Sequence, residues 1–171
     1  MLKLFKNIGG NKPGFSLVEI MAVLLIVALG IIGVANLATQ SIQAQTINKG
    51  NIIANQLAQE GIEIVRQVRD TNWLKGRDWK TGFNTGVYCA DYALPSLRPV
   101  LAGSFCRLHI DENGWYRSTG AMSINMEDTN YYRYLEISTA TSSASVRAIV
   151  TWMERDRAYR YEAETMLYDW R

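Results

Sequence analysis

The sequence predicts an α+β protein. A long N-terminal helix crosses a membrane with its first half and packs its second half on a C-terminal antiparallel β-sheet head. Three observations carry that reading. Residues 20–38 form an apolar run, and no charged residue lies between Glu19 and Lys49. No proline interrupts residues 15–70, and apolar residues recur there at helical spacing. Beyond residue 104 the pattern changes to alternation broken by turn residues, the mark of strands.

The first element is a short basic leader. Lys3, Lys6 and Lys12 precede Gly14, and no acidic residue does. Taking those three from the 18 basic residues leaves 15 against 16 acidic ones, so the formal charge of +2 becomes −1 without the leader. That balance supplies no general electrostatic grip on nucleic acid.

The second element is the run Ile20–Ala38. At about 1.5 Å per residue it nearly spans the hydrocarbon core of a bilayer. It is longer than the core of a conventional signal peptide, and no small-residue cleavage site follows it. The lysines ahead of it predict a cytoplasmic amino terminus, with everything after about Ile47 outside the cytoplasmic membrane. Glu19 stands at the mouth of the run. An ionised carboxylate in hydrocarbon costs on the order of several kcal/mol unless paired, so Glu19 is either functional or bathed in headgroup water. Gly30 and Gly33 read either as points of close helix contact or as a weak point, each Gly costing up to about 1 kcal/mol relative to Ala.

The segment Lys12-Pro13-Gly14-Phe15-Ser16-Leu17-Val18-Glu19 resembles the processing site of type IV pilins and of the pseudopilins of type II secretion. The resemblance is confined to the amino-terminal segment and implies a pilin-like fold. It implies a leader, 1–14, removed by a membrane peptidase that cuts between Gly14 and Phe15 and N-methylates Phe15. Glu19 then becomes the fifth residue of the mature chain and pairs with the methylated amine of Phe15 on a neighbouring subunit. Implied partners are other pilin or pseudopilin subunits, the prepilin peptidase/methyltransferase and an inner-membrane assembly platform. No cofactor is implied. The implied role is a structural subunit, a minor pilin, of a cell-surface filament. The alternatives are a type II secretion pseudopilin, a competence pilus subunit for DNA uptake, or a membrane-tethered binding domain. Two departures are visible. Asn36 stands near where many family members carry a helix-breaking proline, and Glu162, Glu164 and Asp169 do not form the acidic calcium loop of major pseudopilins.

Residues 15–70 read as one continuous helix, roughly 80 Å long. Over 50–70 it is amphipathic: Ile53, Leu57, Gly61, Ile64 and Val68, flanked by Ala54, Ala58, Ile62 and Val65, oppose a polar side. Asp70-Thr71-Asn72 is the expected stop. The head, 71–171, opens with an irregular stretch to residue 104, rich in Gly, Trp and Tyr, whose aromatics are expected to pack on the sheet edge.

Strands are expected at Phe105–Ile110, Trp115–Arg117, Tyr131–Thr139, Val146–Trp152 and Tyr159–Trp170, giving a sheet of four or five. Asn113-Gly114 and the charged stretch Glu154-Arg155-Asp156-Arg157 are the expected turns. In an extracytoplasmic head the two cysteines, Cys89 and Cys106, favour a disulfide worth about 3 kcal/mol. Two reduced, buried thiols are the other reading.

The remaining candidates read as ordinary structure. His109, the one histidine, lies in an expected strand with no ligand spacing around it. Asp111-Glu112-Asn113-Gly114 lacks the ligand pattern of an EF-hand loop. Arg155, Arg157 and Arg160 alternate with aromatics, as in single-strand binders, but interleaved acids cancel their field. No nucleophile elbow, P-loop, dinucleotide fingerprint or zinc-protease helix occurs, so the reading is not an enzyme.

Overall fold

The computed structural model describes residues 14–92, 96–100, 106–118 and 126–170. The chain divides into two compact units, residues 1–45 and 46–171, and the boundary falls inside the long helix α1 (Leu17–Leu74). The expected leader, apart from Gly14, lies outside the described residues.

In the first unit α1 begins where the sequence offers a cap. Ser16 and Glu19 form the S-x-x-E pattern of a capping box. The Ser16 carbonyl accepts from the amides of Glu19 (3.0 Å) and Ile20 (3.2 Å). Every residue from 14 to 45 is exposed, and α1 is long and apolar enough to cross a membrane. The Thr39 hydroxyl donates to the Ala35 carbonyl at 3.0 Å, so this polar group needs no water.

In the second unit α1 packs on the sheet through Ala54, Leu57, Ala58, Gly61, Ile62, Ile64 and Val65, all buried. Ile53 and Val68, expected on the contact face, lie half-buried at its margins. Small residues occupy the points of closest approach. A Cβ on Gly50 would lie 2.8 Å from Nε1 of Trp152, and one on Gly61 2.8 Å from Cδ2 of Leu135. The helix also passes its expected stop. Asn72 turns inward and donates to the carbonyls of Trp79 (3.2 Å) and Thr81 (2.6 Å), and Trp73 is buried. Gly76, at φ +64°, ends α1 in a Schellman motif: its amide bonds the Trp73 carbonyl, and that of Arg77 bonds Asn72.

Seven antiparallel strands follow among the described residues: β1 (Gly86–Asp91), β2 (Ser96–Pro99), β3 (Arg107–Ile110), β4 (Tyr116–Arg117), β5 (Glu127–Thr139), β6 (Ser143–Glu154) and β7 (Arg157–Tyr168). This corrects the expectation of four or five. The added pair, β1 and β2, lies inside the stretch read as irregular; β1 has no alternation to betray it, because Tyr88 to Asp91 are all buried. Pro99 is tolerated because β2 is an edge strand.

β5 is the hub. β6 runs along one of its edges, and the other is shared end to end, β3 against its first half and β1 against its second. The Cys89–Cys106 disulfide joins β1 to the residue just before β3, and the Cys106 carbonyl accepts from the Arg133 amide on β5.

Both expected turns form. Asp111 Oδ1 accepts from the amides of Asn113 and Trp115, and Gly114 takes φ +81°. Between β6 and β7, Arg155 and Asp156 both adopt positive φ in a two-residue turn closed by the Glu154–Arg157 pair. On the helix-facing side Tyr131, Trp152 and Tyr159 are direct cross-strand partners. Their rings stack at 5.9 and 5.4 Å.

Candidate functional site

The candidate site is the start of α1. Gly14 has open space around it, Phe15 is 79% exposed, and Glu19 lies one turn further on in the first turn of the helix. Phe15, Glu19 and Val23 fall on one face, with Ile20 and Leu24 beside them. The acid therefore emerges from a strip of apolar side chains. With no Lys or Arg between Glu19 and Lys49, α1 offers Glu19 no cation within helical reach, so a compensating charge has to come from beyond the helix. Helix geometry alone favours a carboxylate here, through the dipole and the S-x-x-E pattern of Ser16 and Glu19. Further along, a Cβ on Gly30 or Gly33 would meet nothing, which leaves both open to a neighbouring backbone.

Several charges of the head form structural pairs. Arg133 is the one that sequence reasoning missed. It is 1% exposed, and its guanidinium donates to the Leu57 carbonyl (3.1 Å), Glu60 Oε1 (2.9 Å) and the Ala90 carbonyl (2.8 Å). It thereby ties α1 and β1 to β5. The signal was present: Arg133 shares the inward phase of Tyr131, Leu135 and Ile137 along β5. Buried Asp91 accepts from Nε of Arg117 (3.2 Å) and from the Ser118 amide (3.1 Å), and its charge raises the pKa of Arg117 against the lowering effect of burial.

His109 lies on β3 as expected. Its Nδ1 is 2.9 Å from Oδ1 of Asp128 but outside hydrogen-bond geometry, and the second Asp128 oxygen holds Arg107 at 2.8 Å. Arg160 of the charged hairpin pairs with Glu162 at 2.5 Å. Among the described residues no group of three or more His, Cys, Asp or Glu side chains is placed to hold a metal ion.

Residues 10–35 match the family described as the prokaryotic N-terminal methylation motif. No curated protein and no solved structure gives a significant match. The matched segment contains the Gly14–Phe15 junction, Glu19 and most of the apolar run, and it supports a pilin-like or pseudopilin subunit, processed by a prepilin peptidase and assembling with others of its kind. The chain thus carries, on an α+β architecture of long helix and antiparallel sheet, the amino-terminal signature of the type IV pilin family.

Proposed function

We propose that this chain is a minor pilin: a structural filament subunit, cut between Gly14 and Phe15, N-methylated at Phe15 and polymerised through its apolar helix. The observation that carries the reading is the lone carboxylate of Glu19, set among exposed apolar side chains with no cation within reach on its own helix. In a filament the amine of a neighbour's Phe15 neutralises it and sets the axial register. Before assembly the apolar half of α1 sits in the cytoplasmic membrane with the head outside; an assembly platform then exchanges lipid contacts for helix contacts. Gly30 and Gly33, with open space where a Cβ would sit, suit that close packing.

A minor rather than a major subunit is supported by two features of the head. Its cysteines bridge β1 and the start of β3 and leave the carboxyl-terminal strand unbridged, and β7 carries Glu162 and Glu164 on an extended strand and not in an acidic loop.

Glu19→Gln separates charge from helix capping, because Gln serves equally well at the third position of a capping box. The expected result is normal leader removal, seen by mass spectrometry as an N-methylated Phe15 terminus, with loss of incorporation into filaments. A Glu19→Gln protein that polymerises like the natural one overturns the electrostatic pairing. An intact Met1 on the natural protein overturns the processing.

A further inference from the structure

At the C-terminal end of α1 the head carries an open cleft of about 370 Å³ with Trp73 in its wall, bordered by Arg77, Asp78, Lys80, Thr141 and Asp169. Trp170 stands beside it, 68% exposed. Its ring is fixed edge-on against Trp73, with centroids 4.6 Å apart. Beneath both, the Arg69 guanidinium lies 4.5 Å from the Trp73 ring and 6.0 Å from that of Trp170, itself held by Asp70 at 2.8 Å. An exposed indole is therefore displayed to solvent against Trp73 and Arg69.

The cleft beside it has both polarities to offer. Lys80 is already occupied: its ammonium donates to the carbonyls of Ala140 (3.1 Å) and Thr141 (3.4 Å), and its amide bonds Asp78 Oδ1. The guanidinium of Arg77 and the carboxylate of Asp169, by contrast, make no hydrogen bond or ion pair with the described residues. A strong donor and a strong acceptor thus face the same space.

We propose that this cleft and Trp170 form a subsite for a neutral saccharide. A pyranose ring lays its C–H face on the Trp170 indole, while its hydroxyls, each able to donate and accept, engage Arg77 and Asp169. Charge decides against a polyanion: Arg77 and Lys80 are balanced by Asp78 and Asp169, so no net field gathers phosphate or sulfate. A peptide ligand would ask for an enclosed apolar floor, whereas this open cleft is lined mostly by polar and charged residues. The subsite needs only the folded head, so it stands or falls apart from filament assembly.

The test uses the full chain in a detergent without a sugar headgroup, lauryldimethylamine oxide, passed over immobilised neutral hexose and N-acetylhexosamine oligosaccharides. Heparin and oligothymidine surfaces run alongside. Retention on a neutral oligosaccharide is expected, weakened about ten-fold or more by Trp170→Ala, the scale of one lost aromatic stacking contact. Arg77→Ala and Asp169→Asn, both on the surface, weaken it as well, whereas Trp115→Ala, which removes the other exposed indole, leaves it unchanged. Far-UV circular dichroism checks that each variant is folded. Absence of retention on every neutral oligosaccharide overturns the proposal. So does retention that survives Trp170→Ala or falls equally with Trp115→Ala, and so does salt-sensitive retention confined to heparin or oligothymidine.

Discussion

Arg133 and Glu60 make an unequal pair, and that inequality can be measured. The Arg133 side chain is fully buried, whereas that of Glu60 is 34% exposed. Removing the acid by Glu60→Ala leaves a guanidinium in the core with two carbonyls and no counter-charge. The cost of stranding a buried charge is about 3–5 kcal/mol, and partial exposure of Glu60 lowers the expectation to about 3 kcal/mol. Removing the base by Arg133→Met fills the same space with an apolar stem, frees Glu60 to turn to water, and leaves the Leu57 and Ala90 carbonyls short of a donor. That change is expected to cost about 1–2 kcal/mol. Once Arg133 is gone, Glu60→Ala has no stranded charge to create, so in the Met background its cost should fall below about 0.5 kcal/mol.

The assay is urea unfolding of the full chain in micelles, followed by tryptophan fluorescence. All five tryptophans lie at or beyond Trp73, so the signal reports the head and ignores the anchor. Equal costs for Glu60→Ala in the natural and Met backgrounds would refute the reasoning, since the two side chains would then be energetically independent.

Four further outcomes are expected. Gly61→Ala should destabilise the head by about 1–2 kcal/mol in the same assay despite better helix propensity, because the new methyl lands 2.8 Å from Leu135 Cδ2 and 3.2 Å from Arg133 Cδ. Asp156→Gly should stabilise it by about 1 kcal/mol by relieving a left-handed backbone at φ +61°. Joint Cys89→Ala and Cys106→Ala should lower stability by about 3 kcal/mol, whereas no change between oxidised and reduced protein would mean the bridge is not formed in solution. Glu164 is held below the usual carboxylate range first by the Ser145 hydroxyl at 2.7 Å and then by Arg147. A depressed acid contributes its stabilisation above its unfolded value and loses it as pH falls through the folded one, so Ser145→Ala should move the Glu164 carboxyl resonance to titrate at higher pH in carbon-13 NMR.

The parts of the fold legible in the sequence were those whose signal is local. The apolar run and its acid announce themselves without tertiary context, and so does the methylation-motif segment from Gly14 to Glu19. In β6, Val146, Ala148, Val150 and Trp152 alternate because only one face meets the helix. β1 escaped because its burial is continuous from Tyr88 to Asp91, which leaves no period to read. The sequence sets the end of α1 too early, because Asn72, a common helix stop, is spent on the carbonyls of Trp79 and Thr81. Arg133 was legible in phase but not in role, since its acceptors lie on α1 and β1, far away in sequence. The cleft beside Trp170 draws on residues from 73 to 169, and only the folded chain brings them together.

The position of β5 has a bearing on the life of the molecule before it is complete. Every earlier strand is anchored, directly or through a neighbour, to residues 127–139, so the β1–β2 and β3–β4 pairs and the inner face of a helix must wait, undocked, until the ribosome has made most of the chain. The greasy anchor has no such dependence and is ready from the start. A newborn copy can therefore be lodged in its bilayer while its other half is still without form, and any defect that keeps this late central strand from docking would yield a molecule able to enter the membrane but unfit to present a head.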